Sequence, residues 1–520
     1  MKRPRKCLFP LCLFTVSTFT DSSHQVDAFV ASPTINPVSS TLEGTARQLV
    51  LPKPQIIARK GCLCLRARRK ESKKSLSLDE KHNNEEEEEE EEQRGSVLGA
   101  SLLFAGTAIG AGMLALPAET AASGFVPSIA SLVLCWLFTL VTSLVTLEAS
   151  WTVANDPNNQ GSGGFISITQ DTLGPVGEGI TALLFWFLLT SIVTAYTSEG
   201  GVLVSDFAHG LFGTTESPLG TTALSPALGS VLFMGFFASL DFFGTERVDF
   251  INRILVAGLI ATFLGLLGIG LPKVDTSLLT RAEWSAVYPD VISVGILSLG
   301  AQNVVPTLLS YLGGDAVRTK RAILVGSLIP LVMYTLWETV FLGIVPFDLA
   351  SGSKMEVVSA LGTTASGGGD LVQTFVEIFS ACAIGSSMAG ASVSLVDFFQ
   401  DAIGSLQHTE KEKETTEIDA GLTTKRLLAS SLALGPPLGI ACFYPDAFLG
   451  VLENVGLLGG VSLYGVLPAL ALIQLRQRSL PDTDPMPGRL LGGLPVLCTL
   501  IGVSFLLVLS DVIELGGTLL

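Results

Sequence analysis

The sequence predicts an all-α, polytopic membrane protein with about eleven transmembrane helices behind a disordered N-terminal leader. Only 15% of the 520 residues are charged, whereas soluble domains carry about 25%, and the mean hydropathy is +0.54. From Val97 onward, apolar segments long enough to cross a hydrocarbon layer of about 30 Å recur. The first and the sixth of these segments are interrupted, which divides the chain into two repeats of five helices and one extra helix.

The leader differs in composition from the rest of the chain. Residues 1–28 join a basic start to a short apolar stretch, as in a signal peptide, and residues 29–95 combine a Ser-, Thr- and Arg/Lys-rich transit-peptide composition with an acidic spacer, Glu85 to Glu92. A signal peptide followed by a transit peptide resembles the bipartite plastid leaders of algae, in which cleavage precedes a phenylalanine such as Phe29. We therefore expect a plastid envelope protein; the alternative is an endomembrane or plasma membrane location.

The membrane domain is expected to cover residues 96–515, with repeat one at about 97–271, repeat two at about 290–475 and an extra helix at 490–513. The apolar segments that define it are 97–120, 124–149, 177–205, 226–244, 248–271, 290–311, 322–346, 371–400, 425–444, 448–475 and 490–513. With this count, the loops on the side of the N-terminal tail carry twelve Lys and Arg residues and the opposite loops carry three. Such an asymmetry is typical of a correct span count with the tail inside.

The first span contains three glycines within seven residues, and each weakens a helix by about 1 kcal/mol relative to alanine. In hydrocarbon an unwound turn persists only where it lines a protein cavity. The half-helix that follows the interruption would present free N–H groups to a substrate carboxylate. The residues predicted to contact substrate here are Gly106, Thr107, Ala108, Gly110, Ala111 and Gly112.

The sixth span carries Gly300, Gln302, Asn303 and Pro306 near its centre. Proline removes a backbone donor, and amides are costly in lipid unless they face a cavity or a partner helix. Interrupted segments at corresponding positions of two repeats indicate a binding site at the repeat interface. We therefore expect Gly300, Gln302 and Asn303 to contact substrate, with freed carbonyls accepting an ammonium group. The alternative is that these glycines only permit close helix packing, beside an ordinary proline kink.

At these residues, and from about Val97 to Leu515, the chain resembles the tryptophan/tyrosine permease family. The resemblance is sharpest at the glycine run from Gly106 to Pro117. It implies a LeuT-type 5+5 inverted repeat with helices 1 and 6 broken, an amino acid permease domain over 96–515, and proton-coupled import of aromatic amino acids. Two positions depart from the family pattern: Gln302 stands where many members have histidine, and Ala301 where they have phenylalanine.

Further candidates come from the spans that line the site in this architecture. Tyr196 on span three and Ser386 and Ser387 on span eight are predicted to contact substrate, or else to hold neighbouring helices. Glu338, near the middle of span seven, and Glu148, near the end of span two, are candidate proton-coupling residues because acids inside a membrane are usually functional. The alternatives are a hydrogen-bonded packing glutamate at 338 and a solvent-wetted one at 148.

No enzyme, nucleotide-binding, nucleic-acid-binding or metal-binding pattern occurs in the sequence. We therefore expect no cofactor, and as partners only an amino acid substrate, the lipid bilayer and protons as the coupling ion. The predicted mechanism is alternating access, in which a bundle of spans 1, 2, 6 and 7 rocks against a scaffold of spans 3, 4, 5, 8, 9 and 10. The alternatives are the same fold with other neutral amino acids or small amines as cargo, a channel, and a non-transporting membrane scaffold or receptor.

Overall fold

The computed structural model describes most of the membrane domain. The described residues are 95–156, 164–212, 216–217, 220–221, 225–243, 245–346, 370–408, 418–444, 451, 455–478, 486 and 493–519. The predicted signal peptide, transit peptide and acidic spacer lie outside the described residues, apart from Gly95.

The first repeat contains five apolar spans, the first of which is broken. Its helices are α1 (Val97–Ala108), α2 (Gly112–Ser123), α3 (Phe125–Ala154), α4 (Phe165–Phe212), α5 (Pro226–Phe243) and α6 (Thr245–Gly270). A two-stranded hairpin, Glu216–Ser217 with Gly220–Thr221, follows α4. Helix α4 begins about twelve residues earlier than the predicted span 177–205. It bends at Gly174, whose φ of 69° suits glycine.

The second repeat contains a broken span at the matching place. Its helices are α7 (Asp290–Ser298), a 3₁₀ turn (Gln302–Val304), α8 (Val305–Tyr311), α9 (Ala316–Ile344), α10 (Asp370–His408), α11 (Ile418–Phe443) and a π-helix (Gly456–Val466) that continues into α12 (Leu467–Arg478). The extra helix is α13 (Gly493–Leu519).

The described spans agree with the predicted count. Eight helical segments are long and apolar enough to cross a membrane, and the pair α1 and α2, bent by 56°, forms a ninth span. Two shorter apolar helices, Pro226–Phe242 and Leu427–Phe443, occupy the places of predicted spans four and nine. The described part of the chain therefore contains an apolar segment at each of the eleven predicted positions.

The buried apolar side chains form two main clusters that divide the helices between two groups. One cluster joins α1, α3, the sixth span and α9 through residues such as Phe104, Leu147 and Leu308. The other joins α4, α5, α6, α10 and α11 through residues such as Val193 and Phe237. The first group contains helices assigned from the sequence to the bundle, and the second contains spans three, four, five, eight and nine of the predicted scaffold. Helix α12 of span ten, also assigned to the scaffold, packs instead against α3 of the bundle through Ala469 and Leu472. The rocking motion stays a prediction.

The connection between the repeats docks on the ends of α2 and α9. The guanidinium of Arg281 donates to the carbonyl of Ala121 at 2.6 Å, and the N–H of Glu283 donates to the carbonyl of Ser123 at 2.8 Å. The N–H of Asp275 donates to the carbonyl of Gly343 at 2.8 Å. Helix ends leave carbonyls without helical partners, and here the connecting segment supplies several of the missing donors.

Candidate functional site

The break in the first span leaves main-chain atoms between α1 and α2 without partners in a regular helix. Ile109, the residue after α1, has an extended backbone with φ −85° and ψ 117°. The N–H of Ala111 donates to Ser387 Oγ on α10 at 2.9 Å. A Cβ atom at Gly110 would overlap this same hydroxyl oxygen. Glycine at 110 therefore allows the broken backbone to reach a polar group of the scaffold.

The break in the sixth span separates α7 from α8 by Gly300 and the 3₁₀ turn that starts at Gln302. Pro306 lies in the first turn of α8, where its missing N–H costs nothing. The carbonyl of Gln302, one turn before Pro306, accepts from the N–H of Val305. The expectation that Pro306 frees this carbonyl for substrate is therefore wrong, because Pro306 begins a half-helix after a tight turn that uses it.

The two breaks meet at a single tyrosine of α9. The Tyr334 hydroxyl donates toward the carbonyl of Ala108 at 2.6 Å and toward the carbonyl of Ser298 at 3.2 Å. The residues four positions later, which would donate to these carbonyls in continuous helices, lie beyond the breaks. Gly112 also packs against Ser298 so closely that a Cβ there would overlap its side chain. The two interrupted helices are therefore in direct contact.

A phenol has one hydrogen, whereas two carbonyl oxygens have four lone pairs. Some of these lone pairs therefore have no donor at the point where the two breaks meet. We call this point, formed by Ala108, Ser298 and Tyr334, the crossing. Such a pair of carbonyls is suited to an additional cationic donor, and an ammonium group carries three N–H bonds.

Trp337, one turn after Tyr334, holds the other half of the first span. Its Nε1–H donates to the carbonyl of Met113 at 2.7 Å. The helical donor for that carbonyl would be residue 117, which is proline and has no N–H. Sequence reasoning missed both aromatic residues, which are completely buried. The available signal was Pro117, which leaves one carbonyl in need of a side-chain donor.

Ser387 and Tyr196 approach the crossing from the scaffold. Ser387 accepts from Ala111, and the half-buried Tyr196 of α4 lies beside the Ser387 side chain. The neighbouring Ser386 instead donates to the carbonyl of Ala383 in its own helix at 3.2 Å. The structure therefore brings Ser387 and Tyr196 to the first break, whereas the hydroxyl of Ser386 is used within α10.

Gln302 is completely buried next to the second break. Its amide Nε2 donates to Thr142 Oγ1 on α3 at 2.8 Å, while its Oε1 has no hydrogen-bond partner among the described residues. The Cβ position of Gly300 lies 3.3 Å from that oxygen. Asn303, the next residue, is exposed. Of the two predicted amides, only Gln302 points into the protein.

The predicted residues of the first break separate in a similar way. Ala108, Gly110 and Ala111 are buried and Gly112 is half-buried, so these four lie at the crossing. Gly106 and Thr107 are exposed, and the Thr107 hydroxyl donates to the carbonyl of Leu103 one turn back. Gly106 and Thr107 lie in the last turn of α1 on its exposed side, away from the buried residues that meet at the crossing.

Glu338, one turn beyond Tyr334 on α9, is completely buried. Its Oε2 lies 2.6 Å from the Thr120 hydroxyl, which also lies 2.8 Å from the carbonyl of Leu116. One hydroxyl hydrogen cannot serve both acceptors, and Glu338 Oε1 has no partner among the described residues. A proton on Glu338 would complete the pattern, since the acid could then donate to Thr120 and Thr120 to Leu116.

Glu148 is 3% exposed and is therefore not wetted by solvent, contrary to the sequence-based alternative. Helix α3 continues to Ala154, which places Glu148 inside the protein, and α12 packs against it. Arg476 of α12 donates through Nε at 2.8 Å and Nη2 at 2.7 Å to the two carboxylate oxygens. A bidentate pair of this kind makes Glu148 a structural ion-pair partner and a weak candidate for carrying protons.

A half-open cavity of ≈ 340 Å³ lies at the ends of α3 and α8, lined by residues that include Ser150, Asn155, Ser310 and Gly314. Its lining includes Pro306, just after the second break, but none of the residues that meet at Tyr334. Among the described residues, no group of three or more His, Cys, Asp or Glu side chains is placed to hold a metal ion.

Known proteins resemble this chain in both sequence and fold. The chain is 33% identical over 324 residues to a tryptophan-specific transport protein of Pseudomonas aeruginosa, covering 59% of this chain and 73% of that protein. It is 28% identical over 393 residues to tyrosine-specific transport system 1 of Haemophilus influenzae, covering 74% and 88%.

Among solved structures, the nucleobase-cation-symport-1 family transporter Mhp1, in a closed conformation with bromovinylhydantoin bound, matches with a TM-score of 0.50 at 15% identity. The match covers 81% of this chain and 90% of that one. This likeness supports the LeuT-type fold with two five-helix repeats. The sequence profile of the tryptophan/tyrosine permease family matches residues 93–510, more than half of the chain. The protein therefore belongs to the tryptophan/tyrosine permease family, whose members are transporters and not enzymes.

Proposed function

We propose that this protein is a secondary active transporter that carries aromatic amino acids, tyrosine or tryptophan, across a membrane by alternating access. The observation that carries the proposal is the crossing of the two broken spans at Tyr334, where the carbonyls of Ala108 and Ser298 lie beside one hydroxyl. The named specificities of the two bacterial relatives support the aromatic side chain.

The crossing has a place for each charged group of an amino acid. The two carbonyls would accept the α-ammonium group. The α-carboxylate would bind at the start of α2, where the positive end of the helix dipole favours an anion. The N–H groups of Met113 and Leu114 there donate to the carbonyls of Gly110 and Ala111, so they are not free for substrate as the sequence predicts. Ser387 Oγ already accepts from the N–H of Ala111 there, as a carboxylate oxygen would.

The site also lies between the two groups of helices. Ala111 belongs to the broken first span of the bundle, whereas Ser387 belongs to α10 of the scaffold. A substrate bound at this point contacts both groups and would thereby favour one of their relative positions. Differential binding of this kind is what alternating access requires.

We further propose protons as the coupling ion, with Glu338 as the group that binds and releases them. The support is its complete burial, its Oε1 atom, which finds no hydrogen-bond partner in the described part of the chain, and the hydrogen shared at Thr120. Glu338 also lies one turn from Tyr334 on α9. A change in its protonation could therefore act on the site through the same helix. Each pH unit across the membrane corresponds to about 1.4 kcal/mol, or tenfold accumulation per proton.

A second candidate keeps the fold and transports other neutral amino acids or small amines. Ala301 favours this alternative, because a small residue stands where the family pattern has an aromatic one. It is completely buried within the bundle cluster. The main-chain groups at the crossing would recognise any α-amino acid, so the side-chain pocket decides between the candidates.

For location, we propose a plastid envelope membrane, on the composition of residues 1–95 alone. A fluorescent protein fused behind residues 1–95 should accumulate in plastids when expressed in an algal cell with secondary plastids. Accumulation in the secretory pathway or at the plasma membrane would favour the alternative location.

The function is tested by reconstituting the full chain in proteoliposomes and measuring uptake of labelled tyrosine, tryptophan and leucine with and without an imposed pH gradient. We expect tyrosine or tryptophan to accumulate only with the gradient. Accumulation of leucine alone would support the second candidate. Uptake of none of the three would refute amino acid transport, and gradient-independent accumulation would refute proton coupling.

A further inference from the structure

We propose that the side-chain oxygen of Gln302 accepts a hydrogen bond from the donor at the tip of the substrate's ring. The transporter would then select amino acids whose ring carries an O–H or N–H group over apolar rings of the same size. This inference rests on the proposed function and adds a residue that determines substrate class.

The orientation of the Gln302 amide follows from its neighbour. The Thr142 hydroxyl donates to the carbonyl of Thr139 at 3.0 Å, which uses its single hydrogen. With that hydrogen used, Thr142 Oγ1 accepts from Gln302 Nε2 at 2.8 Å, so the NH₂ end of the amide faces Thr142 in the structure. The oxygen end then faces the break, where it lies beside Gly300 with no partner among the described residues.

The other groups of a bound amino acid have partners elsewhere at the crossing. The carbonyls of Ala108 and Ser298, which share the Tyr334 hydrogen, serve the ammonium group, and the start of α2 serves the carboxylate. Gln302 lies one turn after Ser298, on the far side of the gap in the sixth span. The buried acceptor left for the substrate side chain is therefore Gln302 Oε1.

A buried acceptor makes such a site selective mainly by penalising wrong ligands. A ring with an O–H or N–H group satisfies Gln302 Oε1, whereas an apolar ring placed against it leaves the oxygen without a hydrogen-bond donor. Sites that hydrogen-bond a substrate group reject analogues without that group far better than apolar pockets reject a missing methylene. We expect discrimination of at least about tenfold.

The first test uses the unmodified full chain in proteoliposomes. Labelled tyrosine uptake is competed with unlabelled tyrosine, phenylalanine and 4-fluorophenylalanine, the last of which has nearly the shape of tyrosine without its donor. We expect both analogues to compete at least tenfold more weakly than tyrosine. Equal competition by tyrosine and 4-fluorophenylalanine would overturn the inference while leaving transport of tyrosine, and hence the proposed function, intact.

The second test compares Gln302→Leu with the exposed control Thr307→Val. Gln302→Leu should reduce tyrosine uptake but spare phenylalanine uptake, so that their ratio of kcat/KM falls by about tenfold, and Thr307→Val should leave the ratio unchanged. Equal losses for both substrates would indicate that Gln302 binds the ammonium group, which would refute the inference.

If Gln302→Leu does not fold, Thr142→Val gives the same comparison, because it frees the amide to rotate. This variant should lower the tyrosine-to-phenylalanine ratio by a smaller factor. An unchanged ratio in this variant would count against the proposed orientation.

Discussion

Replacing Tyr334 by phenylalanine tests the central contact of the site. The substitution keeps the ring in its buried position and removes only the hydroxyl. The carbonyls of Ala108 and Ser298, which lie 2.6 and 3.2 Å from that oxygen, then lose their shared donor. The perturbation is local because the remaining ring atoms can keep their packing.

The magnitude follows from the number of groups left without a partner. A hydrogen bond contributes about 1 kcal/mol net, and a buried group left unsatisfied costs about 1–3 kcal/mol. The contact to Ala108 is the shorter of the two and should dominate. We therefore expect Tyr334→Phe to lower the free energy of unfolding by about 1–3 kcal/mol in the absence of substrate.

The assay is thermal unfolding of the purified full chain with and without tyrosine, compared with the exposed control Tyr311→Phe. Since a bound ammonium group can supply the missing donor, added tyrosine should stabilise Tyr334→Phe more than it stabilises the unmodified protein. A Tyr334→Phe protein that matches Tyr311→Phe in stability, with an ordinary response to tyrosine, would refute the proposed role of the two carbonyls.

Three further substitutions test other contacts. Gly110→Ala should lower uptake at least tenfold, because the new Cβ would overlap Ser387 Oγ. Adding Ser387→Ala should restore part of the loss, since the new Cβ lies at an ordinary 3.5 Å from the Ser387 Cβ. No recovery in the double variant would contradict this cause. Glu338→Gln should abolish uptake driven by a pH gradient but keep exchange of labelled for unlabelled tyrosine, and gradient-driven uptake that persists would exclude Glu338 as the proton site. Glu148→Ala should destabilise the protein by about 3–5 kcal/mol, because it leaves the charge of Arg476 buried without its partner, and a thermal unfolding midpoint that does not change would show that the ion pair is dispensable.

The positions of the breaks could be predicted from the sequence because glycine and proline act on the local backbone. The directions in which the side chains inside the breaks point could not be predicted from the sequence. Gln302 and Asn303 are adjacent, yet one is buried and the other exposed, since a 3₁₀ turn after an irregular residue does not follow the 3.6-residue period of an α-helix. Helical periodicity therefore gives no indication of which amide faces the protein.

Partners that are distant in the sequence were the other source of error. Tyr334 meets Ala108 across 226 residues, and Arg476 meets Glu148 across 328. Burial of an aromatic residue or an acid depends on which helices pack beside it, and one sequence does not contain that information. The expected division of the spans between bundle and scaffold came from the fold that the resemblance implies, and the packing of α12 against α3 departs from it.

The segment that connects the two repeats is hydrogen-bonded to the C-terminal end of α2, so it offers a way to follow the movement of α2 without labelling the substrate. Arg281 and Glu283 donate hydrogen bonds to carbonyls at the end of α2, and Asp275 donates one to the end of α9. If α2 tilts, this segment must therefore move with it or these hydrogen bonds must break. Trp284 directly follows Glu283 and is 60% exposed. A change in its intrinsic fluorescence, measured over the signal of the other four tryptophans, would thus report the tilt in real time without a dye.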